Sequence, residues 1–356
     1  MNKRFTNIKF VLLSALFILV NVSVSAEWEN PSENYVDVYK NYEDAKSPIE
    51  QDGIKHFVYF ARDRESIHNH PLLDHPRFEG AQIMYSWAQL EPSQGQYDFS
   101  IISDDYNYLQ SKGKRLFIQL QDATFSTRWK GVPQYLLTEE YDGGSIYQRG
   151  DNGELEGWTA KRWNKNVQLR FASLLKALGE EFDGKIEGIN LQESSIGVSN
   201  EFDKSFTPLI YAESLKINML ALKNAFPNSV TMQYANFMPG EWLPWEDLGY
   251  LKSIYLYGEE IGVGLGAPDL MVRRKGQLNH ALAMMHENNY SVPLGIAVQD
   301  GNYIGQTGSD QVIDDRKNIV PMLHAFAKDF LKVNYMFWVD QEPYFLQDVL
   351  PCFSSE

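Results

Sequence analysis

The sequence predicts a single (β/α)8 barrel. Three observations lead there. Short apolar and β-branched runs alternate with stretches of helical period from residue 51 onward. No low-complexity tract or Pro/Gly/Ser-rich linker divides the chain. A length of 356 residues suits this fold once its loops carry insertions. The strands, in order, are His56–Ala61, Ala81–Trp87, Arg115–Gln121, Ile186–Gln192, Val230–Asn236, Gly262–Ala267, Val292–Gln299 and Val333–Val339. Helical period falls at Ile101–Ser111, Val167–Phe182, Leu209–Phe226, Val272–Asn288 and Gln311–Leu331. Gly113 and Pro227 stop two of these helices, one by turning left-handed freely and the other by lacking a backbone N–H. The first and fifth connections have weak helical period, which keeps an open doubly wound sheet as the architectural alternative. Residues 27–50 are polar and tyrosine-rich without clear period, a surface lead-in to a domain at 51–356.

Composition narrows the function classes. With 44% hydrophobic and 22% charged residues the chain is a folded body, neither disordered nor a multi-span membrane protein. The net charge of -15 would repel nucleic acid phosphates and anionic lipid, so neither is expected as a partner. Residues 1–26 read as an export signal: Lys3, Arg4 and Lys9 precede the apolar run Phe10–Val20, too short to span a bilayer, and Val24-Ser25-Ala26 offers a cleavage site before Glu27. The leader holds three of the 32 basic residues and no acid, so its removal takes the net charge from -15 to -18. The mature protein is expected to be secreted or periplasmic, with no stable membrane insertion. Cys352 is the only cysteine, so no intramolecular disulfide can form.

In a barrel of this kind the chemistry lies where strands end, because the βα loops carry the active site. These ends are unusually polar: Ser86-Trp87, Gln121-Asp122, Gln192-Glu193, Tyr234-Ala235-Asn236, Gln299-Asp300, and Trp338-Val339-Asp340-Gln341-Glu342. Amides and carboxylates bond hydroxyls, and tryptophan stacks on the apolar face of a sugar ring. Trp87, Gln121, Asp122, Gln192, Tyr234, Asn236, Gln299, Trp338 and Glu342 are therefore the candidate ligands of a neutral polyhydroxylated substrate, a polysaccharide or oligosaccharide.

The stretch Trp87-Ala88-Gln89-Leu90-Glu91-Pro92, followed by Gly95, Tyr97, Asp98 and Phe99, resembles a signature that follows strand two in retaining (β/α)8 glycoside hydrolases. Those enzymes carry an Asn-Glu pair at the end of strand four, and Gln192-Glu193 stands there. The resemblance implies Glu193 as general acid/base and a retaining outcome. It also implies a Glu nucleophile ending strand seven, where this chain has Gln299-Asp300. Glycoside cleavage needs two carboxyl groups across the scissile bond. Asp300 is taken as the second, with Glu342 and Asp340 as rivals. A barrel that keeps the sugar cleft but has lost catalysis is the alternative function.

Two further patterns lead elsewhere. His68, His70 and His75 share one loop with Pro71 and Pro76, but their spacing fits no helical metal motif. Beside them Arg62, Arg64 and Arg77 form a basic island that could meet a uronic or sulfated sugar. Gly262, Gly264 and Gly266 run into Ala267-Pro268-Asp269 without an acidic ribose partner, which excludes a nucleotide loop. No metal and no organic cofactor is expected.

Overall fold

The computed structural model describes residues 35–150, 152–241, 247–278, 280–304, 316 and 318–353. Eight parallel strands close a barrel: β1 (Lys55–Tyr59), β2 (Phe78–Ser86), β3 (Arg115–Gln121), β4 (Gly188–Leu191), β5 (Val230–Tyr234), β6 (Gly264–Ala267), β7 (Leu294–Val298) and β8 (Tyr335–Val339). Each pairs with its neighbours in sequence, and β1 closes on β8 with Lys55 opposite Tyr335 and Tyr59 opposite Val339. Every strand overlaps the run expected for it, and closure removes the open-sheet alternative.

Strand alternation sorts the side chains between the barrel interior and the helix layer. Phe57, Phe117, Tyr335 and Phe337 fill the interior, with the Phe117 and Phe337 rings 5.0 Å apart. They leave no room on β4: a Cβ on Gly188 would come within 2.7 Å of the Phe117 ring and of the Val230 carbonyl. A second interior group is polar, where Gln82 Nε2 donates to Asn190 Oδ1 at 3.0 Å and to the Tyr234 hydroxyl at 3.1 Å. Tyr234 is thus an interior residue, buried to 1% exposure, and does not line a cleft as expected.

Helices Ser100–Ser111, Lys165–Phe182 and Pro208–Ala225 lie where the period put them. In the second, Val167, Phe171, Leu174, Leu178 and Phe182 recur at helical spacing and form its buried face. The segment expected as one helix at Val272–Asn288 is broken into Lys275–Leu278 and Ala281–Glu287. Of Gln311–Leu331, the described part is Ile319–Ala325 continued by a π-helical turn, Phe326–Leu331. The fifth connection holds a helix, Tyr250–Ile261, that propensity concealed: it is rich in aromatic and β-branched residues, yet Leu251, Ile254, Tyr255 and Gly258 pack inward. Its C-terminus is Gly262 at φ 76°, so that glycine ends a helix and does not begin β6.

Between β3 and helix Lys165–Phe182 the chain makes a three-stranded antiparallel sheet from Ala123–Thr124, Ser145–Arg149 and Leu155–Ala160. Gln148 ties it across the barrel mouth, donating to the Thr124 carbonyl at 2.8 Å and accepting from Gly197 N at 3.2 Å. The lead-in packs onto the barrel through buried Ile49 and the edge-on rings of Tyr42 and Phe326. Among the described residues no helix is long and apolar enough to cross a membrane. The expected leader, 1–26, lies outside the described residues.

Candidate active site

Glu193 follows β4 at the C-terminal mouth, and three elements fix it. Arg162, buried behind it, donates to the Glu193 carbonyl at 2.9 Å and to the Tyr211 hydroxyl at 2.7 Å. Tyr211 in turn donates to the Ser194 carbonyl at 2.8 Å, so two successive peptides are locked. From the end of β5, Asn236 Nδ2 donates to Glu193 Oε2 at 2.6 Å. Burial, and next the charge of Asp269, push the Glu193 carboxyl up to about 8 against the opposing pull of Asn236 and Arg162. A carboxyl raised in this way is suited to giving up a proton near neutral pH.

The carboxylate acting on Glu193 is Asp269, two residues past the end of β6 and 7% exposed. Gln299 Nε2 donates to Asp269 Oδ1 at 3.3 Å and to the Pro268 carbonyl at 2.9 Å, and Asn302 Nδ2 donates to the same Oδ1 at 3.3 Å. Tyr59, at the end of β1, feels both acids: burial raises its hydroxyl first, Arg62 lowers it, and Glu193 and Asp269 raise it further. The mouth therefore holds two mutually interacting carboxyl groups over the ends of β4 and β6, with Asn236 of the β5 end bonded to one of them. Sequence reasoning passed over Asp269 by testing the glycine run only as a nucleotide loop. The signal was the one that found Glu193, an acid just after a strand.

The other candidates divide. Asp300 opens a 3-10 turn, Asp300–Ile304, but its side chain lies outside the described residues. Gln121 lies at the mouth and accepts from Arg62 Nε at 2.9 Å. Gln192 Oε1 accepts from Ala123 N at 3.3 Å, holding the base of the inserted sheet. Glu342 is exposed. Asp340 pairs with His70 Nε2 at 3.1 Å.

Three expected sugar ligands are structural instead. Both Asp122 oxygens are taken by Arg162, at 2.6 and 2.8 Å, in a buried bidentate ion pair. Trp87 is fully buried against Phe171 and donates to Glu91 Oε2 at 2.8 Å. Glu91 also accepts from Gly95 N at 2.8 Å and pairs with Arg170, so Trp87, Glu91 and Gly95 of the signature after β2 build a turn. Trp338 faces the helix layer, fully buried, because β8 alternation turns Phe337 into the barrel.

The three loop histidines have separate partners: His68 lies 3.7 Å from Glu65, His70 bonds Asp340, and His75 Nδ1 accepts from Arg77 N. Among the described residues one other group has metal-ligand proximity, Asp52, His56 and His324, whose ligand atoms lie within 4.8 Å of one another. Trp338 Nε1 donates to His56 Nδ1 at 3.1 Å. An indole nitrogen only donates, so Nδ1 is occupied as an acceptor and the neutral ring carries its proton on Nε2, leaving no lone pair for a cation.

No protein-family model and no curated protein matches the sequence. The fold is similar to solved structures. One is the catalytic domain of beta-amylase from Paenibacillus polymyxa, 8% identical over 82% of this chain and 93% of that one, with a TM-score of 0.55. Another is an alanine variant of GH5_18 from Streptomyces cattleya in complex with Manβ1-4GlcNAc, 10% identical over 80% and 70% of the two chains, TM-score 0.52. A third is GH5_18 from Bifidobacterium longum subsp. infantis, 11% identical over 80% and 69%, TM-score 0.52. At such identities the likeness is one of fold.

Proposed function

We propose that this chain is an exported glycoside hydrolase that cleaves a polysaccharide or oligosaccharide with Glu193 as general acid. The observation that carries the reading is the Glu193–Asp269 pair: two carboxyl groups at one barrel mouth, the first held protonated near neutral pH by burial and by the second. In this reaction Glu193 gives its proton to the departing glycosidic oxygen. The Asp269 carboxylate acts across the sugar, attacking the anomeric carbon or taking a proton from the attacking water. Asn236 and Arg162 position the acid, and Gln299 and Asn302 position the second carboxylate. Solved glycoside hydrolases share the barrel, which agrees with the reading. Retention is the outcome implied by the sequence signature, and export the one implied by residues 1–26.

The test is reducing-end release by purified protein over a panel of neutral and acidic glycans. Release that disappears in both Glu193→Gln and Asp269→Asn supports the reading. Affinity for a glycan without release assigns the mouth to a binding protein. Loss in Asp300→Asn with normal turnover in Asp269→Asn transfers the second role to Asp300.

A further inference from the structure

A cavity of about 660 Å³ opens at the same barrel mouth, over the ends of β1, β2 and β3. Arg62, Gln121, Trp129 and Lys130 line it, together with Asp63 and Ser86. Its connection to Glu193 runs through two neighbours. Arg62 acts on Tyr59, as Glu193 and Asp269 do, and Gln121 precedes the Asp122 that anchors Arg162. The chain has 47 acidic residues against 32 basic ones, and several of its arginines find carboxylates, Arg64 on Asp105, Arg162 on Asp122, Arg170 on Glu91 and Arg316 on Asp348, while the half-buried Arg77 and Arg149 bond backbone carbonyls. Among the described residues Arg62 makes no ion pair. Its Nε donates to the neutral amide of Gln121 at 2.9 Å, and its guanidinium lies 6.0 Å from the centre of the Trp129 ring. Lys130 likewise has no carboxylate partner there and sits 3.7 Å from the centre of the Trp158 ring. Arg62 is exposed and Lys130 half-buried, and local desolvation lowers the pKa of both. Asp63, the one acid in the wall, accepts from Ser66 Oγ at 2.7 Å.

Two cations without counter-ions in a concave wall, in a strongly acidic protein, are a site for an anion. Trp129, 58% exposed, gives the same wall a flat apolar face of the kind a sugar ring stacks on. We propose that the glycan cleaved at Glu193 carries an anionic substituent, a uronate carboxylate or a sulfate ester, held in this cavity by Arg62 and Lys130. This rests on the glycoside hydrolase reading and adds the substrate class. An arginine fork matches both anions, so the chemistry is shared between the two sources.

The experiment is calorimetric titration of the full chain carrying Glu193→Gln with three oligosaccharides of equal length: neutral galactan, sulfated galactan and oligogalacturonate. The expected result is binding of one or both anionic forms about 10- to 100-fold tighter than the neutral one, the range of one charge-assisted contact. Sulfate-only or uronate-only preference identifies the source. Adding Arg62→Gln should reduce anionic affinity to the neutral level, Arg62→Lys should restore part of it, and Arg128→Gln, an exposed cation outside the cavity wall, should not change it. Equal or tighter binding of the neutral form overturns the inference, as does Arg62→Gln without effect. Hydrolysis of neutral glycans alone would overturn the substrate class and leave the hydrolase reading intact. Anion-selective, Arg62-dependent binding by a protein that releases no reducing ends would do the reverse.

Discussion

Replacing Glu193 with glutamine removes the proton while keeping the shape. The amide oxygen can still accept from Asn236 Nδ2, as Glu193 Oε2 does at 2.6 Å, but the side chain cannot ionise. In the wild type this carboxyl is pushed from its ordinary 4.5 up to about 8, by burial first and the Asp269 charge second. Between those values the folded protein keeps a proton that the unfolded chain has released. Wild-type stability therefore declines as pH rises through this window and levels off above the folded pKa. From pH 5 to pH 9 the loss is at most about 4 kcal/mol. Solvent at the mouth reduces it to roughly 2 kcal/mol. The glutamine variant lacks this term, so its stability relative to wild type should rise across that range. Urea unfolding of both proteins at pH 5, 7 and 9 measures it. A stability difference that stays constant with pH would refute the claim that Glu193 is held protonated by its surroundings.

Asp269→Asn should fold normally and lose at least about 1,000-fold in turnover, measured as kcat on an activated aryl glycoside. Retention of near-normal kcat would remove Asp269 from the reaction. Arg162→Gln should cost about 3–5 kcal/mol in chemical unfolding, because it strands the buried Asp122 carboxylate. A loss under 1 kcal/mol would show that Asp122 finds another partner. Dialysis against a strong chelator should leave the rate unchanged, since His56 presents no lone pair to the Asp52–His324 cluster. Loss of rate restored by one divalent cation would contradict that assignment.

Eight strands were legible because apolar runs and intervening helical period both report local geometry. The helix Tyr250–Ile261 was hidden because its residues prefer strands, and only the packing of Leu251, Ile254 and Tyr255 makes it helical. The inserted sheet at 123–160 was also missed, since its short strands are set by contacts such as Gln148 to Thr124. At the site, Glu193 was visible as an acid ending a strand. Its raised pKa was not, because it depends first on burial and then on Asp269, 76 positions away in sequence. The polar strand ends misled where strand alternation decides which way a residue turns: Tyr234 goes into the barrel and Trp338 into the helix layer. The signature Trp87–Phe99 pointed correctly to the fold because its residues build the turn after β2, through Glu91, Gly95 and Arg170.

On the proposed reading a protonated Glu193 and a second carboxylate, Asp269, act on one glycosidic bond. The pH dependence of kcat/KM on a glycoside with a poor leaving group, once release has identified a substrate, puts this to the test. The reaction needs the acid protonated and its partner ionised, so the expected profile is a bell whose alkaline limb falls near pH 8, the value to which burial and Asp269 push Glu193. In Asp269→Asn the residual activity should lose that limb to lower pH, because the neighbouring negative charge that raises it is gone. Activity that stays level through pH 10, or an alkaline limb that Asp269→Asn leaves in place, would rule out Glu193 as an acid tuned by Asp269.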